Sequence, residues 1–141
     1  MLVEQRTEDP RTGPFIRRLS PDGAYAEYSS TVSTFRDGAI VTESVEPAWR
    51  VQEQLSADQV ARVDAAVRDG FFDLDAEYRP PGTFADGFTV TWRACVDDRQ
   101  HTVVLHSVDA AQIPALAAVR DAFELALAEA AAAAGERSRD D

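Results

Sequence analysis

Residues 55–70 read LSADQVARVDAAVRDG, 71–86 read FFDLDAEYRPPGTFAD, and 87–106 read GFTVTWRACVDDRQHTVVLH. The first block is a helix with both ends marked. Ser56 can accept from the backbone N–H of Gln59, whose side chain can reach back to Ser56, and Leu55 and Val60 sit where a hydrophobic staple closes. Val60, Val63 and Val67 recur at +3 and +4 as one apolar stripe. Gly70 follows the last of them and suits a left-handed cap. Phe71 and Phe72 come directly after this stop, and at least one is expected in the core, where burial stabilises by about 2–3 kcal/mol.

The third block is a hairpin. Phe88, Val90, Trp92, Ala94 and Val96 share one face of a strand; Thr89, Thr91, Arg93 and Cys95 share the other. His101, Val103 and Leu105 alternate with Thr102, Val104 and His106 on the return. Matching the apolar sets around a turn centred on Asp98 and Arg99 places Val96 near His101, Ala94 near Val103 and Trp92 near Leu105. A slip of one residue would invert a strand's faces.

Working outward, Pro114 suits the first turn of a second helix. Leu116, Val119, Phe123 and Leu127 give it a core-facing stripe, and Gly135 can end it. Residues 136–141 read as a disordered tail. On the N-terminal side, 1–13 is polar and charged and reads as a flexible arm. Phe15–Leu19 is a short strand, and Ser20-Pro21-Asp22-Gly23 has the residues of a type I turn. Ala24–Phe35 and Ala39–Val45 form a hairpin around Asp37-Gly38. Its Ser and Thr residues dilute both faces, as on a solvated strand at or near a sheet edge. Glu46-Pro47-Ala48-Trp49 breaks the pattern, and Arg50–Gln54 fits either a strand extension or a loop.

The order β-ββ-α-ββ-α predicts an α+β fold: a mostly antiparallel sheet of about five strands with two helices on one face, in a single domain over 14–135.

The 141 residues carry 14 basic and 25 acidic side chains, a net charge of −11. Every basic residue is Arg. A field of this sign repels phosphate, so neither nucleic acid nor an anionic membrane is an expected partner. A single cysteine, Cys95, excludes an intrachain disulfide. The opening residues lack an apolar signal core, and no stretch has the length of a membrane span. A cytoplasmic protein, monomer or homodimer, is the expectation.

Asp73, Asp75 and Glu77 imitate the start of a calcium loop, but Tyr78 stands where Gly is required and Phe84 where Glu is required. His101 and His106 are five apart and point to opposite faces of a strand. Cys95 shares a face with His106 at the opposite end of the hairpin, with no third group to orient a base. The phosphate-loop, nucleophile-elbow and zinc-helix patterns are absent. No catalytic residue, metal or cofactor is therefore assigned. The remaining candidates are Tyr78, Arg79, Phe84 and Asp86. They lie in a segment stiffened by Pro80 and Pro81, and aromatics and Arg are favoured at interface hot spots.

The succession of helix, Phe71-Phe72-Asp73-Leu74, acidic loop, Asp86, alternating Phe88–Trp92, charged turn, Thr102-Val103-Val104 and Pro114-led helix resembles small uncharacterised bacterial α+β domains. It also resembles emfourins, protein inhibitors of thermolysin-like metalloproteases. The resemblance spans about Leu55–Leu127 and implies a stand-alone binding or inhibitory module. The sequence reading is thus a small acidic, non-enzymatic binding module with a protein partner, an inhibitor or accessory protein, acting through the 78–84 loop or the exposed first hairpin. The alternatives are a small-molecule binder or enzyme with a pocket between sheet and helices, holding His101, Arg93 or Tyr28, and a homodimeric structural protein joined by sheet edges.

Overall fold

A computed structural model describes residues 1–9, 13–80 and 88–139. Its strands are β1 (Val3–Asp9), β2 (Gly13–Leu19), β3 (Ala24–Arg36), β4 (Ala39–Gln54), β5 (Glu77–Tyr78), β6 (Thr89–Val96) and β7 (Arg99–His106). Its helices are α1 (Ala57–Arg68) and α2 (Pro114–Arg139), with single 3-10 turns at Phe71–Asp73 and Ala110–Gln112. Among the described residues the strands form one seven-stranded sheet in the order β4-β3-β2-β1-β6-β7-β5. Every pairing is antiparallel except β5 with β7. The α+β class and the two helices are as expected; the sheet is larger than five strands.

The largest correction lies at the N-terminus. Residues expected to be a flexible arm form β1, which pairs with β2 from Val3↔Leu19 to Asp9↔Gly13 and with β6 from Val3↔Ala94 to Glu8↔Thr89. The strand was disguised by its charges. Val3 and Gln5 face the helices, while Glu4, Arg6 and Glu8 occupy the uncovered face, where water solvates them. Arg18, directly opposite Glu4, bonds it at 2.8 Å.

One face of the sheet carries both helices. Trp92, Phe71, Phe123, Leu19, Leu105 and Leu116 are its largest fully buried side chains, and the described core contains no buried polar or charged residue. Trp92 and Tyr25 both meet the Phe123 ring edge-on, at 6.2 and 5.9 Å. Ser56 caps α1 as expected: its Oγ accepts from Gln59 N–H at 3.2 Å, and its own N–H donates to Gln59 Oε1 at 2.8 Å. Val63 and Val67 are fully buried, and Gly70 adopts φ +106° beneath the helix. Phe71 enters the core, and Phe72 lies under the Arg99 guanidinium at 4.4 Å.

The β6–β7 register differs from expectation by two residues. Trp92 faces Val103, Ala94 faces His101 and Val96 faces Arg99. Asp97 and Asp98, at φ +51° and +65°, form a tighter two-residue turn than the expected Asp98–Arg99 turn. A two-residue shift preserves side-chain faces, so the expected inner face survives. Asp adopts the left-handed region more readily than most residues, which makes the shorter loop affordable.

Helix α2 runs past Gly135 to Arg139, so the expected break and tail are not seen through that point. Gly135 meets nothing within 4 Å, and the Ala run before it favours continuation. At the other end of the domain, Gly23 closes the turn after β2 by donating to Ser20 O at 3.0 Å. It holds φ +93°, and a Cβ there would lie 2.4 Å from Leu55 O.

Candidate functional site

The four sequence candidates divide. Tyr78 is an anchor: it pairs with Leu105, packs against the core, and its hydroxyl accepts from Asp75 N–H at 3.1 Å. Arg79 is exposed and bonds only its near neighbour Glu77 among the described partners, at 3.2 Å. Phe84 and Asp86, like the proposed stiff turn from Pro81 onward, lie outside the described residues.

The chemically suggestive groups also separate. His101 Nε2 donates to Leu74 O at 2.7 Å, and its ring meets Phe71 edge-on, which fixes the 3-10 turn to the sheet. His106 Nε2 stands 3.7 Å from a Glu77 oxygen, too far for a hydrogen bond. Cys95 pairs with Gln100, whereas His106 pairs with Thr89 at the far end of the hairpin. Among the described residues no three His, Cys, Asp or Glu side chains converge on a metal position. His101 faces the helices, Arg93 is exposed on the open face, and Tyr28 meets Trp49 edge-on, so the three do not share one surrounding. Among the described residues, shallow clefts of about 620 and 540 Å3 lie by the β3–β4 base and beside the start of α1. No described helix is long and apolar enough to cross a membrane.

Tyr25 ties the base of the β3–β4 hairpin into the core, and the part of the hairpin beyond Tyr28 is left without a role there. Asp37 and Gly38 supply φ +52° and +80°, as the sequence anticipated. The pairing then runs much further than expected, because β4 continues through Pro47 to Gln54. Two register shifts, at Glu27/Tyr28 and Ser29/Thr31, absorb the irregular segment that had suggested a loop. Pro fits there because β4 is an edge strand, where a missing N–H costs least.

The hairpin is fastened at its base and free at its tip. Tyr28 and Trp49 pack edge-on at 5.4 Å, and Arg18 lies over the Trp49 ring at 4.6 Å while gripping Glu4. Among the described residues, pairing between β2 and β3 runs to Ile16↔Tyr28. Beyond it, β3 and β4 form a two-stranded ribbon. On that ribbon Phe35 and Ile40 are direct cross-strand partners, and they are 75% and 74% exposed. Ser33 and Thr42 hydrogen-bond at 2.9 Å beside them, and Arg36 approaches Glu43 at 3.8 Å. The sequence carried the signal for the strands, but not for the exposure of this pair: hydrophobicity alone would place Phe35 and Ile40 inside.

A second polar cluster sits between sheet and α2. Arg17 lies 5.0 Å from the Phe123 ring centre, bonds Gln5 at 2.7 Å, and also reaches Glu124. Tyr25 donates to Glu27 at 2.5 Å. Burial first, then this bond to Glu27, pushes the Tyr25 hydroxyl far above its ordinary pKa. The tyrosine therefore stays protonated and serves as a fixed donor. No family model and no curated protein matches the chain.

Proposed function

We propose that this chain is a small acidic, non-enzymatic binding module that engages a protein partner through the β3–β4 hairpin, as an inhibitor or accessory protein. The observation that carries the reading is the Phe35–Ile40 pair, an aromatic and a branched aliphatic side by side and three-quarters exposed on a projecting ribbon. Burying such a pair in a partner's pocket supplies the apolar anchor of a hot spot. The Tyr28–Trp49–Arg18 stack holds the ribbon's base, which lowers the entropy lost on docking. With a net charge of −11, the fitting partner has an apolar pocket with a basic rim. The resemblance to emfourins names a thermolysin-like metalloprotease as the first class to try.

The test is a photo-crosslinker placed at position 35 and, separately, at position 91 on the open sheet face, in cells of the native host. The reading expects a heavier adduct with a second protein from position 35 and none from position 91. Equal labelling from both positions, or none from position 35, would reject the hairpin as the contact surface.

A further inference from the structure

Strand β4 lies at one edge of the sheet. Its pairing with β3 is unbroken from Thr31↔Ser44 to Arg36↔Ala39. A two-residue turn closes on a hydrogen-bonded Arg36–Ala39 pair, so Ala39, Val41 and Glu43 direct their backbone groups toward β3. Ile40, Thr42 and Ser44 then direct theirs outward. The Ser33–Thr42 side-chain contact agrees, since non-hydrogen-bonded pairs bring side chains closer. Natural edges are blunted by charged side chains, Pro or bulges. The stretch Ala39–Ser44 carries one charge, Glu43, and neither Pro nor a register shift; its irregularities begin after Ser44.

We infer that this edge pairs antiparallel with the same edge of a second copy about a two-fold axis. Opposed residues share a face, and a two-fold normal to the sheet keeps every residue on its own face. The axis must therefore pass through a residue rather than between two. Through Glu43 it would set two carboxylates against each other, and through Ile40 it would set Asp37 against Glu43, both unfavourable. Through Thr42 it would place Glu43 opposite Val41. Through Val41 it places Val41 opposite Val41 of the partner subunit, Ile40 opposite Thr42, and Ala39 opposite Glu43.

The Val41 register is apolar at its centre and complementary in charge. Glu43 of each copy comes into the row that holds Ala39 and Arg36 of the other. It also joins the two Phe35–Ile40 pairs diagonally into one strip, twice the anchor of a single chain. The use of one edge per copy closes the assembly at two. The overlap is limited to Ala39–Glu43 of each copy, so the association is expected to be weak, with a Kd of about micromolar or above. Two chains of like net charge associate more tightly as salt is added. This pairing goes beyond the partner-binding reading and does not depend on it.

Disulfide trapping tests it in the full chain with Cys95→Ser as background. In the Val41 register the two position-41 residues form a non-hydrogen-bonded pair, about 4.5 Å between Cα atoms, which suits a disulfide. The Val41→Cys variant is expected to crosslink to a dimer on mild oxidation, and Glu43→Cys to crosslink at least tenfold less. Sedimentation should show a monomer–dimer equilibrium for the native chain. Thr42→Pro, which removes an outward N–H and leaves the β3 ladder intact, should give monomer with unchanged thermal unfolding. Equal crosslinking of the two cysteine variants, or a native chain that stays monomeric well above the expected Kd, would overturn the inference. Should Thr42→Pro unfold, the cysteine pair still decides. Failure here leaves the adduct from position 35 unaffected, so the two readings fall separately.

Discussion

The two long hairpins, β3–β4 and β6–β7, begin from the same local chemistry and end in opposite roles. Each turns on two residues at positive φ, Asp37-Gly38 in one and Asp97-Asp98 in the other. In β6–β7 the apolar residues keep to one face, and Trp92, Ala94, Val103 and Leu105 are at most 1% exposed. In β3–β4 beyond Tyr28 neither face has a helix over it among the described residues, and Phe35 and Ile40 point to water. Turn chemistry makes a hairpin; what covers its face decides whether the hairpin is scaffold or surface.

The sharpest way to break this comparison is to remove one ring from the layer that covers β6–β7 and one from the uncovered β3–β4 ribbon. Phe123→Ala should cost about 3–5 kcal/mol in chemical denaturation, because the ring is fully buried against Trp92 and Tyr25. Phe35→Ala should change stability by no more than about 0.5 kcal/mol. A comparable loss from both would mean the ribbon tip is packed in solution.

Next in size is Gly23→Ala. It forces an L side chain into a left-handed turn and against Leu55 O, where a Cβ would stand 2.4 Å away. A loss of roughly 2 kcal/mol or more is expected, readable as a lower urea midpoint. Ser56→Ala should follow at about 1 kcal/mol through the lost cap.

The smallest effect concerns the β6–β7 turn. Arg68 hydrogen-bonds Asp97 at 2.6 Å and holds its carboxyl below the ordinary pKa. A folded-state pKa depressed in this way gives stabilisation that is present above the unfolded pKa and lost as pH falls through the folded value. An NMR titration should show Asp97 protonating at lower pH than a free Asp, and Arg68→Ala should move it back up. The exposed pair predicts only a slight change in unfolding.

The sequence made α1 legible in full, because Ser56, Gln59, the valines and Gly70 all act within one helix and its caps. The Asp37-Gly38 turn and the inner face of β6 were legible for the same reason, whereas the β6–β7 turn closes on Asp97-Asp98, with a register two residues from the expected one. What escaped was set by distant neighbours. Val3–Asp9 has too few apolar residues to announce a strand, yet β2 and β6 on either side satisfy its backbone, and its uncovered face accepts charges. The length of β4 was hidden by Pro47, which only an edge position tolerates. Of the candidate site, Tyr78 was chosen for residue type, and type cannot tell an interface tyrosine from one that pins a loop to Leu105 and Asp75. The Ser and Thr residues of the first hairpin announced an exposed strand pair, but not that Phe35 and Ile40 would be its exposed apolar residues, which depends on where pairing with β2 stops.

The most direct measurement is affinity capture from host extract with the native chain and with the double variant Phe35→Ser/Ile40→Ser, alongside thermal unfolding of both. If the hairpin tip is surface built for binding, the two unfold at the same temperature, and a partner held by the native chain falls at least tenfold with the variant. A variant that retains every partner, or that loses its fold, would contradict the account.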